Sequence, residues 1–326
     1  MLTGFLGSGK TTLLAEIVRD SRFADTAIVV NEWGEAPIDH ALLRHASGEV
    51  MVLAGGCVCC RAAGDIVRAL RELHFERAEG RVPAFRRVVI ETSGLADPSP
   101  LLATLVEMPL VAARYVLAGV VTTVDAERGS LTLDEHPEAV RQVAVADRVV
   151  ITKCDRASVV SADALELRLR SLAPGARLIR SSHADADPAR LLDTGLYRGE
   201  RPTAPDAHGW LEAGAYRRAG TGTGARHDPR ITSFAWSAVE PLPWAGVEQA
   251  QETLAKVQGA RLLRMKGLVN VAGEPGPRAV HASGHTLYPS ARLADWPDED
   301  RSTRLVFIGR DLEDAAVTRI LESIRA

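Results

Sequence analysis

The segment GFLGSGKT, residues 4 to 11, fits the pattern G-x-x-x-x-G-K-[ST] and constrains the fold more than any other stretch of this chain. Such a loop serves phosphate when it leaves a buried strand and enters a helix, because the anion is held by successive backbone amides and a helix N-terminus. Gly4, Gly7 and Gly9 permit the tight bend, with Ser8 inside it. Lys10 can reach β- and γ-phosphate oxygens, Thr11 offers a hydroxyl to Mg2+, and Thr12 follows on the helix that TTLLAEIV predicts. The strand before the loop is only MLT. Either the sheet is stubby at its centre, or the stated start is internal to a longer product.

A phosphate loop needs a parallel sheet behind it, and the first half of the chain carries that pattern. AIVVN (27–31), VMVLAGG (50–56), RRVVIET (86–92), YVLAGVVTTVDA (115–126), RVVITK (148–153) and ARLIRS (176–181) read as near-continuous apolar strands. TTLLAEIVRD, DIVRALRELHFERA, EAVRQVAVAD and ADALELRLRSLA read as the helices between them. The predicted class is α/β: a P-loop NTPase domain over residues 1–184, its mostly parallel sheet covered by helices. Residues 185–230, rich in Gly, Ala, Pro and Thr, read as a linker. From 231 to 326, ITSFAWS, RLLRMKGLVNVAG, AVHASGHTLY and RLVFIG read as strands and AGVEQAQETLAKVQG as a helix. DLEDAAVTRILESIRA closes the chain as a helix with Asp311 as its N-cap. That is a small α+β domain on an antiparallel sheet.

Bulk properties exclude several function classes. With a formal net charge of −3 the chain lacks the basic balance that drives nucleic-acid or anionic-membrane binding. The most apolar window, beginning at Leu101, contains Glu107, Pro109 and Arg114 and reads as a buried helix and strand rather than a membrane span. No charged segment followed by an apolar one opens the chain, which reads as no secretory signal, and four cysteines, three of them clustered, suit a reducing cytoplasm better than a disulfide framework.

Two further segments complete a nucleotide site. VVIETSG (88–94) is an apolar strand ending in Glu91, where a carboxylate meets Mg2+, with Gly94 three residues on to follow the γ-phosphate. TKCD (152–155) ends the strand RVVI: Thr152 stands at a position more often asparagine, Lys153 would pack over a base, and Asp155 would accept from the N–H groups of guanine. Adenine would leave that carboxylate without donors.

Cys57, Cys59 and Cys60 lie within four positions, and the rest of the chain holds one further cysteine, Cys154. Three readings follow. The first is a soft thiolate site for Zn2+ or Co2+. The second is thiol redox chemistry between Cys57 and Cys60 or between Cys59 and Cys60. The third is packing of three small apolar side chains. A tetrahedral metal site calls for one outside ligand, and Glu32 or Glu35 of NEWGE, leaving strand AIVVN, are the first candidates, ahead of His281 and His285. Cys154 reads as a packed residue.

Taken together, LTGFLGSGKTTLL, NEWGE (31–35), GGCVCC, ETSGLADP (91–98), TKCD, RMKG (264–267) and LVFIGRDL (305–312) resemble the CobW-like family of GTPases, in order and over nearly the whole chain. The resemblance implies a cytosolic GTPase that binds GTP with Mg2+; no glutamine or arginine declares itself as the hydrolytic residue, so slow hydrolysis that a client accelerates is expected. It also implies a smaller C-terminal domain and delivery of zinc or cobalt to a client metalloenzyme; a homo-oligomer is left open. Departures are the short first strand, Thr152, and the lack of a histidine-rich tract. A dedicated activator loading cobalt or iron into one enzyme, of cobaltochelatase or nitrile hydratase type, is the alternative within this class. A P-loop kinase or ATPase and a nucleotide-bound thiol redox switch are the alternatives outside it.

Overall fold

The computed structural model describes residues 1–31, 60–182, 187–192 and 231–325. The chain divides into two compact units, Met1–Glu166 with Leu178–Asp193, and Leu167–Arg177 with Thr194–Ala326.

The N-terminal unit is built on six strands, β1 (Leu2–Gly4), β2 (Thr26–Asn31), β3 (Arg87–Thr92), β4 (Val121–Asp125), β5 (Arg148–Thr152) and β6 (Arg177–Arg180), in the order β2-β3-β1-β4-β5-β6. The β1/β3, β1/β4, β2/β3 and β4/β5 pairs are parallel. Three residues suffice for β1 because it lies between two longer strands: Leu2 is in register with both Glu91 and Val121, and Gly4 with Thr123.

Alternation along the strands feeds two cores. Ile28, Val30 and Val89 face one side, with Leu13, Leu14 and Ile17 of α1 (Lys10–Arg19) and Leu191 of α8 (Pro188–Leu192). Val29 and Ile90 face the other, with Ile66, Leu70 and Leu73 of α2 (Cys60–Ala78), Leu101 and Leu105 of α3 (Ser99–Glu107), and Val111 of α4 (Pro109–Ala112). Three further helices are α5 (Gly129–Glu135), α6 (Pro137–Ala144) and α7 (Val159–Leu172).

Several expectations need adjusting. The strand expected over 115–126 is only Val121–Asp125, because the Asp147 carboxylate accepts from the Val120 amide at 2.9 Å and ends the ladder there. Val116, read as strand, is 64% exposed. α2 begins five residues before the expected DIVRAL, at Cys60, and α5 was not foreseen. α8 falls in the stretch read as linker, yet Leu191 is fully buried in the first core. The strand expected at 50–56 lies outside the described residues.

The C-terminal unit carries β7 (Ile231–Ala238), β8 (Leu262–Val269), β9 (Arg278–Ser283), β10 (Thr286–Leu287), β11 (Ala291–Arg292) and β12 (Thr303–Arg310). They form an antiparallel sheet in the order β10-β9-β8-β12-β7, with β11 also on β9. Met265, Val280, Leu305 and Phe307 on one face pack with Val247 and Leu254 of α9 (Trp244–Gln258) and Val317 and Leu321 of α10 (Asp314–Glu322). The glycine of RMKG has a packing cause: a Cβ on Gly267 would stand 2.1 Å from the Arg304 carbonyl oxygen of the neighbouring strand.

Asp311 is not the N-cap of the last helix. It sits at φ 52 and turns the chain out of β12, Leu312 drops into the core, and Glu313 takes the cap position. Among the described residues no helix is long and apolar enough to cross a membrane.

Candidate functional site

The site lies at the carboxyl ends of β1, β3, β4 and β5, where an open parallel sheet presents its loops beside a change in strand order. The loop from β1 to α1 bends through three glycines at positive φ, Gly4 (141°), Gly7 (70°) and Gly9 (93°). Gly4 has a second constraint: a Cβ there would lie 2.3 Å from Thr123 Oγ1 and 2.8 Å from Ser8 Oγ. Ser8, buried, shares a 2.6 Å hydrogen bond with Thr123 on β4. No side chain caps the N-terminus of α1, whose cap residue is Gly9.

Lys10, at the first position of α1, is 6% exposed, and its Nζ donates to the Phe5 carbonyl at 3.2 Å across the loop. Thr11 Oγ1 donates to Glu91 Oε1 at 2.9 Å. Glu91, at the end of β3, is 1% exposed, and its neighbour Thr92 donates to Thr3 Oγ1 on β1 at 2.8 Å. A buried carboxylate against a threonine hydroxyl makes a hard oxygen pair that fits Mg2+, with the lysine ammonium nearby for phosphate. Thr12 is exposed on α1.

Gly94 leaves β3 directly beneath the phosphate loop. A Cβ on it would meet Leu6 N and Leu6 Cδ2 at 2.7 Å, so only glycine lets the two segments touch. The carbonyls of Gly94 and Ala96 accept from Gln142 Nε2 at 3.1 and 2.9 Å.

The TKCD loop is tied to the phosphate loop by its first two residues. Thr152 Oγ1 donates to the Ser8 carbonyl at 2.7 Å. Lys153 is at φ 56, unusual for a residue with a side chain, and its Nζ donates to the Gly7 carbonyl and to Asp125 Oδ2, both at 2.7 Å. Asp125 Oδ1 in turn accepts from the Glu127 and Arg128 amides. Asp155 lies at the exposed end of the turn, 4.0 Å from Arg156 Nε. Cys154 donates its thiol to the Ile151 carbonyl at 3.2 Å and serves the turn. Beside these loops opens a cavity of about 470 Å3, lined by Phe5, Leu6, Gly7, Asp125, His136 and Gln142 among others. Phe5 and His136 stack there at 4.3 Å.

Cys57, Cys59, Glu32 and Glu35 lie outside the described residues, and Cys60 is placed only as the backbone start of α2. Among the described residues no group of three or more His, Cys, Asp or Glu side chains is arranged to hold a metal. His281 is buried on β9, stacked on Tyr288 at 4.2 Å, and His285 Nδ1 lies 2.7 Å from the Ala255 carbonyl.

Asp125, Gln142 and the Phe5–His136 stack escaped the sequence reading. Asp125 carried one usable signal, its place at the end of an apolar strand of a parallel sheet. Gln142 carried none, because EAVRQVAV reads as an ordinary amphipathic helix.

Residues 1–180 match the family described as CobW/HypB/UreG, nucleotide-binding domain. The chain belongs to this family. Residues 231–325 match the cobalamin synthesis protein CobW C-terminal domain, which places the C-terminal unit in the same lineage. The chain is 30% identical over 328 residues to the zinc chaperone YjiA of Escherichia coli K12, covering 100% of this chain and 98% of that protein. It is 29% identical over 361 residues to the zinc chaperone CobW of Pseudomonas aeruginosa, covering 100% and 91%. Among solved structures it is similar to the Zn(II)-bound YjiA GTPase, with 25% identity, a TM-score of 0.70 and coverage of 100% and 98%. The same figures hold for a Zn(II)-bound YjiA triple mutant in which one glutamate and two adjacent cysteines are replaced by alanine.

Proposed function

We propose that this CobW-family protein is a GTP-dependent metallochaperone: it binds and hydrolyses GTP, carries zinc, and delivers it to a client metalloprotein in the cytoplasm. The observation that carries the nucleotide half is the Thr11 hydroxyl against the buried Glu91 carboxylate at 2.9 Å, at the first turn of α1 beside Lys10. Thr11 and Glu91 would hold Mg2+, which neutralises phosphate charge when bound. The backbone amides of Gly7 to Thr11 and the Lys10 ammonium cradle the phosphates. Lys153, anchored on the Gly7 carbonyl, offers its stem to the base, and Asp155 accepts from guanine. Gly94 follows the γ-phosphate through its contact with Leu6.

The zinc half rests on the cysteine cluster and on kinship with zinc chaperones. One glutamate and two adjacent cysteines are the residue types replaced in the YjiA triple mutant, and this chain offers the same types in Glu32 or Glu35 with Cys59 and Cys60. That mutant is itself Zn(II)-bound, so metal in a crystal would not report on the trio. Cobalt, which thiolates also bind, is the alternative cargo.

GTP and ATP turnover should be compared in the wild type and in Lys10→Ala. GTP turnover at least tenfold above ATP, lost in the variant, is the expected result. Equal turnover of both nucleotides would point to a P-loop ATPase instead.

A further inference from the structure

We propose that Gln142 is the positioning residue that couples the phosphate loop to the helices behind it, by holding the segment Gly94–Ala96 in register with the γ-phosphate site. The inference rests on the GTPase reading above. Gln142, on α6, is fully buried, and its Nε2 donates to two carbonyls of that segment, Gly94 at 3.1 Å and Ala96 at 2.9 Å. Two carbonyl acceptors fix which end of the amide is nitrogen. Both amide hydrogens are thereby committed to the Gly94–Ala96 segment, and the residue acts through Gly94.

The other side of the residue is tied as firmly. The Gln142 backbone carbonyl accepts from Thr122 Oγ1 on β4 at 2.7 Å. Gly94 touches Leu6 so closely that no Cβ fits between them. A continuous path therefore runs from the phosphate loop at Leu6, through Gly94, to Gln142 on α6 and Thr122 on β4. A second link between the same elements, Arg141 to Asp97 at 3.5 Å, is about one-third exposed and screened by water, and contributes less. A shift of Gly94 toward a γ-phosphate must either carry α6 along or break two hydrogen bonds in a buried place, where unpaired amide and carbonyl groups are costly.

The test compares GTP hydrolysis by the wild type, Gln142→Met and Gln142→Glu. Met keeps the volume and removes the donors; Glu keeps the shape and replaces the donors with acceptors facing two carbonyls. Both variants are expected to lose at least tenfold in kcat, with KM for GTP and affinity for GDP within threefold of the wild type, because ground-state binding belongs to the phosphate loop. Unchanged kcat in either variant overturns the proposal. So does a loss of GDP affinity in proportion to kcat, which marks a merely structural role. Should the variants not fold, hydrogen exchange on the wild-type protein decides. Residues 93–97 and 137–144 are expected to change protection together when a non-hydrolysable GTP analogue replaces GDP, and independent changes overturn the coupling. A wild type that does not hydrolyse GTP would defeat the GTPase reading itself, a result distinct from active variants.

Discussion

Asp125→Asn tests how the base-reading loop is held. Lys153 occupies a left-handed backbone conformation, at φ 56, that costs a non-glycine residue about 1 kcal/mol. Its two Nζ hydrogen bonds, to the Gly7 carbonyl and to Asp125 Oδ2, hold it there. A hydrogen bond to a charged partner contributes about 1.5–3 kcal/mol. The Lys153 side chain is 31% exposed and that of Asp125 12%, so water screens the pair and the lower figure of about 1.5 kcal/mol applies. Asparagine can keep its oxygen on the Glu127 and Arg128 amides, but its NH2 group then faces the ammonium, donor against donor. The bond is lost without loss of the turn. About 1.4 kcal/mol is tenfold in affinity, so GTP and GDP should bind about tenfold more weakly. ATP, held by the phosphate loop alone, should change little. Displacement of a fluorescent GDP by GTP and by ATP measures both. GTP affinity within about twofold of wild type, in a folded variant, would refute the assignment of Lys153 to the base and of Asp125 to Lys153.

Thr152→Val removes the hydrogen bond to the Ser8 carbonyl while keeping the shape; leaving that carbonyl short of a donor should cost about 1–3 kcal/mol, read as a lower Tm of the GDP-free protein. Phe307→Ala, at a fully buried position stacked on Phe234 at 5.2 Å, should cost about 3–5 kcal/mol and lower the unfolding transition of the C-terminal unit in calorimetry. Glu274 is paired with Arg278, which itself lies 4.0 Å over the Trp244 ring, and the guanidinium hydrogen bonds hold the Glu274 carboxyl below its ordinary range. Since its folded pKa is lower than its unfolded one, the pair's contribution is complete above the unfolded value and is lost as pH falls through the folded value. Urea titrations at neutral and acid pH should show that loss in the wild type, and a smaller one in Glu274→Gln.

The sheet was legible because its strands are short apolar runs whose neighbours in sequence are helices; Arg148–Thr152 is wholly buried and was read as strand without a turn signal inside it. The phosphate loop was legible because its glycines serve backbone geometry, which the pattern encodes directly. What escaped depended on contacts between distant parts of the chain. The early end of β4 is set by Asp147, which is 27 residues from the amide it caps. Asp311 looks like a helix cap in sequence, but the burial of Leu312 requires a turn first. Gln142 is polar at a position whose neighbours Val140 and Val143 are buried, and only the carbonyls it meets, 46 and 48 residues earlier, explain it.

The GTP-dependent metallochaperone proposed above requires that nucleotide and zinc binding be coupled. This is tested most directly by titrating the full chain with Zn2+ against a competing chelator, with GDP and then with a non-hydrolysable GTP analogue, beside a Cys59→Ala, Cys60→Ala variant. Tight one-to-one binding that changes with the nucleotide and vanishes in the variant is the predicted result. Zinc affinity indifferent to both the nucleotide and the two cysteines would contradict it.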